Sequence, residues 1–279
     1  IDAITNDPKI ALSVTNESRT FISKIENLPV LKNREVEGDV RFEIFIKKLV
    51  SHTKDNITNG ESEKLLDGQC TATSIFFISG LRAIIEKQWG MTMEERNVSG
   101  GKAEDDRAND MINALNVCGV TSLCIDLLNV GIGEDLQIEA LKLGIALLLR
   151  DGGALRIQES VLSNLIRATS VLFFKQARQL IQKLIEWSRW NGAVELEPGQ
   201  DVDLPESILI IRFLQLMCVG HYKPNQDIFR DQMTGASSIN LLDDMVQYLN
   251  CLSRLQCRTS TVAALQISSL ILEVLQGPC

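Results

Sequence analysis

Few side chains in this sequence have the types and spacing that catalysis requires. The chain has two histidines, and His221 follows Cys218 by three positions in a helix-like stretch. That spacing brings two side chains to one face of a helix, as a thiol nucleophile and its base would need. No orienting third group and no oxyanion hole accompany the pair. We therefore predict that the chain is not an enzyme.

Metal and phosphate motifs are equally sparse. Five residues separate Cys118 from Cys124 and Cys251 from Cys257, and no histidine lies near either pair. Zinc sites need closer thiol and imidazole ligands, so zinc is not predicted. The stretch Gly131-Ile132-Gly133 lacks a following Gly-Lys-Ser/Thr and indicates a helix break, not a phosphate loop. No cofactor is predicted for this segment.

Composition narrows the class of protein further. The 279 residues carry a net charge of −8 and the sequence pI is about 5.0, which argues against a nucleic-acid partner. The seven cysteines are an odd number and several lie in apolar helical patterns, which favours reduced thiols and a cytosolic environment. The glycosylation sequons at Asn16, Asn56 and Asn97 are then coincidental.

No membrane span is predicted within this chain. The longest apolar stretch, Ile208 to Val219, contains Arg212 and Gln215 and falls well short of the roughly 20 residues that a spanning helix needs. No signal peptide is recognisable. Because the first residue is not Met, we expect the sequence to be part of a longer protein.

Helical periodicity dominates and alternating strand patterns are scarce, so the predicted fold is all-α. A break is expected at Asn59-Gly60, and Thr121, Ser237 or Ser238 are expected to cap helices. The predicted helices cover residues 7–28, 38–54, 71–89, 104–117, 122–130, 134–150, 154–169, 171–190, 205–220, 225–233, 237–256 and 259–276.

Three domains are predicted. Residues 1–103 form N-terminal helical hairpins that end in an exposed linker at 91–103. Residues 104–190 form helical repeats, and residues 205–279 form a further helical domain after a loop at 191–204. The middle part resembles an armadillo repeat, in which each unit buries its apolar face by stacking on the next. The residues that carry this likeness are Gly119, Leu123, Ile125, Leu127, Leu128, Asp135, Ile138, Ala140, Leu141, Ala146, Leu147 and Gly152-Gly153.

The C-terminal quarter carries the most specific likeness. The stretches Arg212–His221 and Glu273–Cys279, with Gln226 and Arg230-Asp231-Gln232 between them, resemble the associated domain of inositol trisphosphate receptors and ryanodine receptors. The middle part is similar to the helical segment that precedes this domain, and Phe45–Lys54 is closer to the inositol trisphosphate receptor branch. The quoted middle residues are Leu141–Ala146, Gly152-Gly153, Ile157-Gln158 and Phe173-Phe174.

This resemblance implies an armadillo-type solenoid in a homotetrameric, ligand-gated calcium-release channel. The segment would lie on the cytosolic face of the endoplasmic reticulum membrane, where it would carry ligand-driven motion towards the pore. Its partners would be other domains and subunits of the same channel.

The resemblance also implies a calcium site. His221, Glu273 and Gln276 occupy positions of the family's activating site, but Val219 stands where the family has a glutamate. Calcium affinity follows the number of carboxylate ligands, so we expect calcium binding to be weakened or lost. A free-standing armadillo-type adaptor that binds a peptide or helix in its groove is the alternative interpretation, and a soluble enzyme is a third.

Overall fold

The structure is a computed structural model that describes residues 40–63, 68–89, 106–130, 133–149, 154–167, 171–192, 206–232 and 239–252, together with positions 20, 23, 268 and 269. Every regular element in these ranges is helical, which confirms the predicted all-α helical solenoid class. The chain divides into two compact units, Ile1–Leu127 and Leu128–Cys279. The three predicted domains stay a prediction.

The first unit is built on three helices that pack against one another. They are α1 (Val40–Glu63), α2 (Gly68–Trp89) and α3 (Asp106–Val117). Their apolar side chains recur at intervals of three and four residues, which gives each helix one buried face. The fully or nearly buried members are Phe42, Ile46, Leu49, Ile57, Ile78, Leu81, Ile84, Ile85, Met111 and Leu115.

Helix α1 continues through Asn59-Gly60, so the predicted break there is wrong. Glycine and asparagine weaken a helix interior by about 1 kcal/mol or less each, and they do not forbid it. Ile57 is buried two residues earlier and anchors this part of α1 to the core. Burial therefore outweighs the local preference for a turn.

Cys118 and Gly119 join α3 to the next helix, α4 (Val120–Val130). Gly119 has φ +89°, and its N–H donates to the Asn116 carbonyl at 2.9 Å. Its own carbonyl accepts the first hydrogen bond of α4, from the Leu123 N–H at 2.9 Å. Gly119 thus ends one helix and starts the other. The prediction that Thr121 caps α4 is wrong, because Thr121 lies inside that helix and is buried.

The second unit contains one helix that is largely enclosed by protein. Helix α5 (Glu134–Leu148) is buried along most of its length, and only its first turn and Glu139 and Lys142 retain polar surface. Its buried residues include the small residues Ala140, Gly144 and Ala146. The remaining elements are α6 (Leu155–Leu165), α7 (Val171–Gly192), a 3-10 turn (Glu206–Ile208), α8 (Leu209–Cys218), α9 (Lys223–Arg230) and α10 (Leu241–Leu252).

Most helix ends lie within a few residues of their predicted positions, with two informative differences. Helix α10 begins after Asn240, whose side-chain oxygen accepts the Leu242 N–H at 3.1 Å. Asn240 is therefore the cap, and the predicted capping by Ser237 or Ser238 is wrong. Helix α9 begins at Lys223 because Pro224 fits a first turn, where its missing N–H is not needed.

Helices α7 and α10 form the most extensive pair in the second unit. The Asp244 carboxylate is buried and accepts from Arg178 Nε and Gln182 Nε2, each at 2.8 Å. Tyr248 is fully buried on the same helix, near the Ser188 hydroxyl. Neither hydroxyl has a well-formed hydrogen bond within the described part of the chain.

None of the described helices is by itself long and apolar enough to cross a bilayer. Among the described residues, one pair of consecutive segments is together long and apolar enough: Asn109–Val117 and Val120–Asn129. A bend of 65° separates these two segments.

Predicted positions outside the described ranges include the linker 91–103, nearly all of the helix 7–28 and most of the helix 259–276. Within these two helices, positions 20, 23, 268 and 269 are helical.

Replacing Gly119 with alanine should destabilise the first unit by about 1–2 kcal/mol, because φ +89° is unfavourable for a residue with a Cβ. Space is not the cause, since the nearest atom to that Cβ would be Val50 Cγ1 at 3.8 Å. Gly119→Asn is the control and should lose less, because asparagine tolerates left-handed backbone. Urea unfolding measures the free energy of unfolding of both variants. An equal loss of stability in Gly119→Ala and Gly119→Asn would contradict the backbone explanation.

Alkaline pH should destabilise the α7–α10 pair through Tyr248. Burial raises the pKa of Tyr248, Ser188 opposes the rise and Cys251 adds to it. The unfolded chain therefore ionises first, and stability falls by up to about 1.4 kcal/mol per pH unit above pH 10. Tyr248→Phe should remove this part of the pH dependence while changing stability little at pH 7. Chemical unfolding at several pH values tests this; parallel pH profiles for both proteins would contradict it.

Candidate functional site

Helix α8 contains most of the stretch Arg212–His221, which carries the most specific likeness in the sequence. All its residues from Ile210 to Cys218 are buried except Arg212, which is half-buried. The helix contacts α5, α6, α7 and α9, as expected for a helix that is apolar on nearly every side. Its end at Cys218 is consequently enclosed by protein.

A side chain from α6 satisfies the last carbonyl groups of α8. Gln158 is 1% exposed, and its Nε2 donates to the carbonyl oxygens of Leu216 at 3.1 Å, Met217 at 3.1 Å and Val219 at 2.8 Å. The last four carbonyls of any helix lack partners within that helix, and leaving a buried one unpaired costs about 1–3 kcal/mol. Gln158 thus acts as a cap supplied by another helix.

Helix α9 contributes a second donor to the same helix end. Asn225 is 0% exposed, and its Nδ2 donates to the Met217 carbonyl at 2.9 Å. The Val219 N–H closes the last regular turn on the Gln215 carbonyl at 3.1 Å. Side chains from α6 and α9 therefore converge on the C-terminus of α8.

The chain leaves this buried end through a left-handed turn. Gly220 has φ 77° and His221 has φ 58°, the latter being a positive value at a residue with a Cβ. Such a backbone costs roughly 1–2 kcal/mol at an ordinary residue. The His221 side chain is exposed, whereas Val219 before the turn is half-buried. The residues that flank this turn are hydrogen-bonded: the Val219 carbonyl accepts from Gln158, and the Tyr222 carbonyl accepts from backbone N–H groups of α9.

A polar chain leads from α8 towards the C-terminal residues. Arg212 Nη1 donates to Gln215 Oε1 at 2.8 Å, and Gln215 Nε2 donates to Ser269 Oγ at 2.7 Å. Burial lowers the pKa of Arg212. Its Nε is buried and has no hydrogen-bond partner within the described residues. Arg212 thus orients Gln215, which links position 269 to α8.

The Glu159 carboxylate lies close enough to Tyr222, the residue after the turn, to affect its pKa. Burial raises the pKa of Tyr222, and the negative charge of Glu159 on α6 adds to the rise. Glu159 follows Gln158 in the chain, and Tyr222 follows His221. The surface of α6 and the residues of the turn are thus electrostatic neighbours as well as hydrogen-bonded ones.

The Cys218–His221 pair is not arranged as the helical spacing suggested. Helix α8 ends at Cys218, and the left-handed turn intervenes before His221. Cys218 is 0% exposed whereas His221 is exposed. Being three apart on one helix is therefore the wrong description of this pair.

The predicted calcium positions are only partly described. His221 and Val219 lie at the carboxyl end of α8, while Glu273 and Gln276 fall outside the described residues. Within the described ranges, no group of three or more His, Cys, Asp or Glu side chains is arranged to hold a metal ion. The Val219 side chain supplies no oxygen, and its carbonyl oxygen is already bonded to Gln158.

Sequence reasoning missed the two amides that organise this site. In the sequence, Gln158 is only part of the likeness to the receptor segment, and Asn225 is only the expected start of α9. A signal was available for Gln158, because it lies beside Ile157 on the apolar face of α6. The position of its partners, 58 to 61 residues further on, was not available from the sequence.

Residues 203–279 match the family model described as RyR and IP3R Homology associated. The match supports the superfamily of inositol trisphosphate and ryanodine receptors, and it covers less than a third of the chain. Helices α8, α9 and α10 all lie inside the matched range. Gln158 lies before it, so the matched segment is held by a residue from the preceding helices.

Proposed function

We propose that the chain is a cytosolic coupling segment of a homotetrameric, ligand-gated calcium-release channel of the endoplasmic reticulum. The observation that carries the proposal is the match of residues 203–279 to the receptor-associated family. The likeness of Phe45–Lys54 to inositol trisphosphate receptors favours that branch. In this proposal the segment transmits ligand-induced motion towards the pore, and its partners are other domains and subunits of the same channel.

The packing of the second unit supports a mechanical role. A coupling element must pass a displacement on, so its helices need interfaces that are dense and specific. Helix α5 packs along α8, and the Lys142 ammonium bridges Glu139 and Glu206 at 3.0 and 2.9 Å, which ties α5 to the 3-10 turn before α8. The Arg178–Asp244 ion pair ties α7 to α10. The contact of Lys142 with Glu206 and that of Arg178 with Asp244 each join a helix that precedes residues 203–279 to an element within that range.

Native size and location test this proposal. An antibody against the chain should detect, in extracts of the source cells, a membrane-bound protein far larger than 31.0 kDa that sediments as a tetramer. A free-standing adaptor would instead appear in the soluble fraction at about the mass of the chain itself. That outcome would remove the channel proposal and leave partner capture as the next step.

Calcium binding at the family positions is proposed to be weak or absent in this protein. Calcium takes six to eight oxygen ligands, and affinity rises with carboxylate count. Val219 provides no side-chain oxygen, and its carbonyl oxygen is engaged by Gln158 at 2.8 Å. Glu273 is then the one carboxylate left among the family positions.

Restoring the missing carboxylate should strengthen calcium binding. We expect Val219→Glu to raise calcium affinity by about tenfold or more, because a second carboxylate joins the site. Val219→Gln is the matched control, since it has the same length without the charge, and it should have little effect. Calcium titration calorimetry on the intact assembly measures all three proteins. Micromolar binding by the unaltered protein that Glu273→Ala abolishes would contradict the proposal.

A further inference from the structure

Gln158 occupies an unusual position among the polar residues of the second unit. Its Nε2 carries two hydrogens, yet three carbonyl oxygens lie within 3.1 Å of it. At least one hydrogen must therefore be shared between two acceptors. Gln158 is 1% exposed, and Leu216 and Met217 are 3% and 0% exposed, so water is not a ready substitute.

The third of these bonds reaches beyond the helix. Leu216 and Met217 belong to α8, but Val219 is the residue that enters the left-handed turn. The shortest of the three distances, 2.8 Å, is the one to Val219. Gln158 thus holds the helix end and the start of the turn with a single amide group. A rotation or shift of α6 would act on both at once.

The second donor does not duplicate this role. Within the described residues, the Asn225 side chain donates only to the Met217 carbonyl, and it comes from α9, which follows the turn in the chain. Its contact closes the segment from Met217 to Asn225 locally. Gln158 comes from before the family-matched range and is separated from Val219 by 61 residues. Of the two side-chain donors, Gln158 is therefore the one that makes the long-range contact.

We propose that Gln158 is a positioning residue that couples helix α6 to the conformation of the His221 turn. The amide of Gln158 sets the left-handed backbone at Gly220 and His221, so movement of the preceding helices changes the turn. The role of this contact as a relay towards the pore rests on the proposed function. The coupling of α6 to the turn does not, and it is testable in the chain alone.

The two histidines make the test direct. Selective 15N-histidine labelling of the whole chain gives two backbone amide signals, one for His221 and one for His52 in the first unit. Gln158→Met removes both donor hydrogens while keeping the side-chain length. We expect the His221 amide signal and its φ-dependent HN–Hα coupling to change, with the His52 signal unchanged. Amide exchange at Val219 to His221 should quicken by about tenfold or more.

Gln137→Met is the matched control. Gln137 is also buried, at 7% exposed, and its Nε2 donates to Gln176 Oε1 at 3.0 Å, between α5 and α7. Its loss should destabilise the same unit without moving the His221 signal. An unchanged His221 signal in Gln158→Met, or an equal change in Gln137→Met, would overturn the proposal. Either result leaves the channel proposal standing, because neither measures membership of a channel.

A graded variant covers the case in which Gln158→Met does not fold. A neutral carboxyl at this buried position keeps one O–H donor in place of two N–H donors, so Gln158→Glu should give an intermediate change at His221. Raising the pH should ionise that carboxyl, remove the donor and enlarge the change. The proposal would also be overturned if the His221 signal of Gln158→Glu matched that of the unaltered protein both before and after the carboxyl ionises.

Discussion

The second unit depends on how the buried C-terminus of α8 satisfies its hydrogen bonds. A helix that is apolar on nearly every side packs well among other helices, but its last carbonyls then lose contact with water. Gln158 from α6 and Asn225 from α9 supply the missing donors, so three helices meet at one point. Because α8 is apolar and buried, its last carbonyl groups need hydrogen-bond donors from other helices. These hydrogen bonds fix the positions of α6 and α9 relative to the end of α8.

The two units solve the problem of a helix end differently. In the first, Gly119 both closes α3 and opens α4, because a residue without a Cβ adopts φ +89° readily. In the second, Gly220 begins a similar reversal but His221 continues it, and the local backbone does not satisfy the helix end alone. Donors from distant helices complete it. The junction at Gly119 is formed by local backbone hydrogen bonds, whereas the end of α8 depends on side chains from other helices.

The sequence predicted what depends on local patterns. Apolar periodicity identified the all-α class and the helices, and the central burial of α5 follows from its nearly continuous apolar residues. It failed at Asn59-Gly60, where the burial of Ile57 outweighs turn preference, and at Thr121 and Ser237-Ser238, where Gly119 and Asn240 start the helices instead. The bonds of Gln158 join residues about sixty positions apart, so no local pattern could reveal them.

In the proposed function, this segment transmits motion towards a pore. The most direct measurement is single-channel recording of the full-length protein in a planar bilayer, comparing Gln158→Met with Gln137→Met and the unaltered protein. A coupling segment outside the pore should alter open probability and leave unitary conductance unchanged, so Gln158→Met is predicted to change open probability alone. Gating identical in Gln158→Met and the unaltered protein, or the absence of any calcium current, would contradict the account.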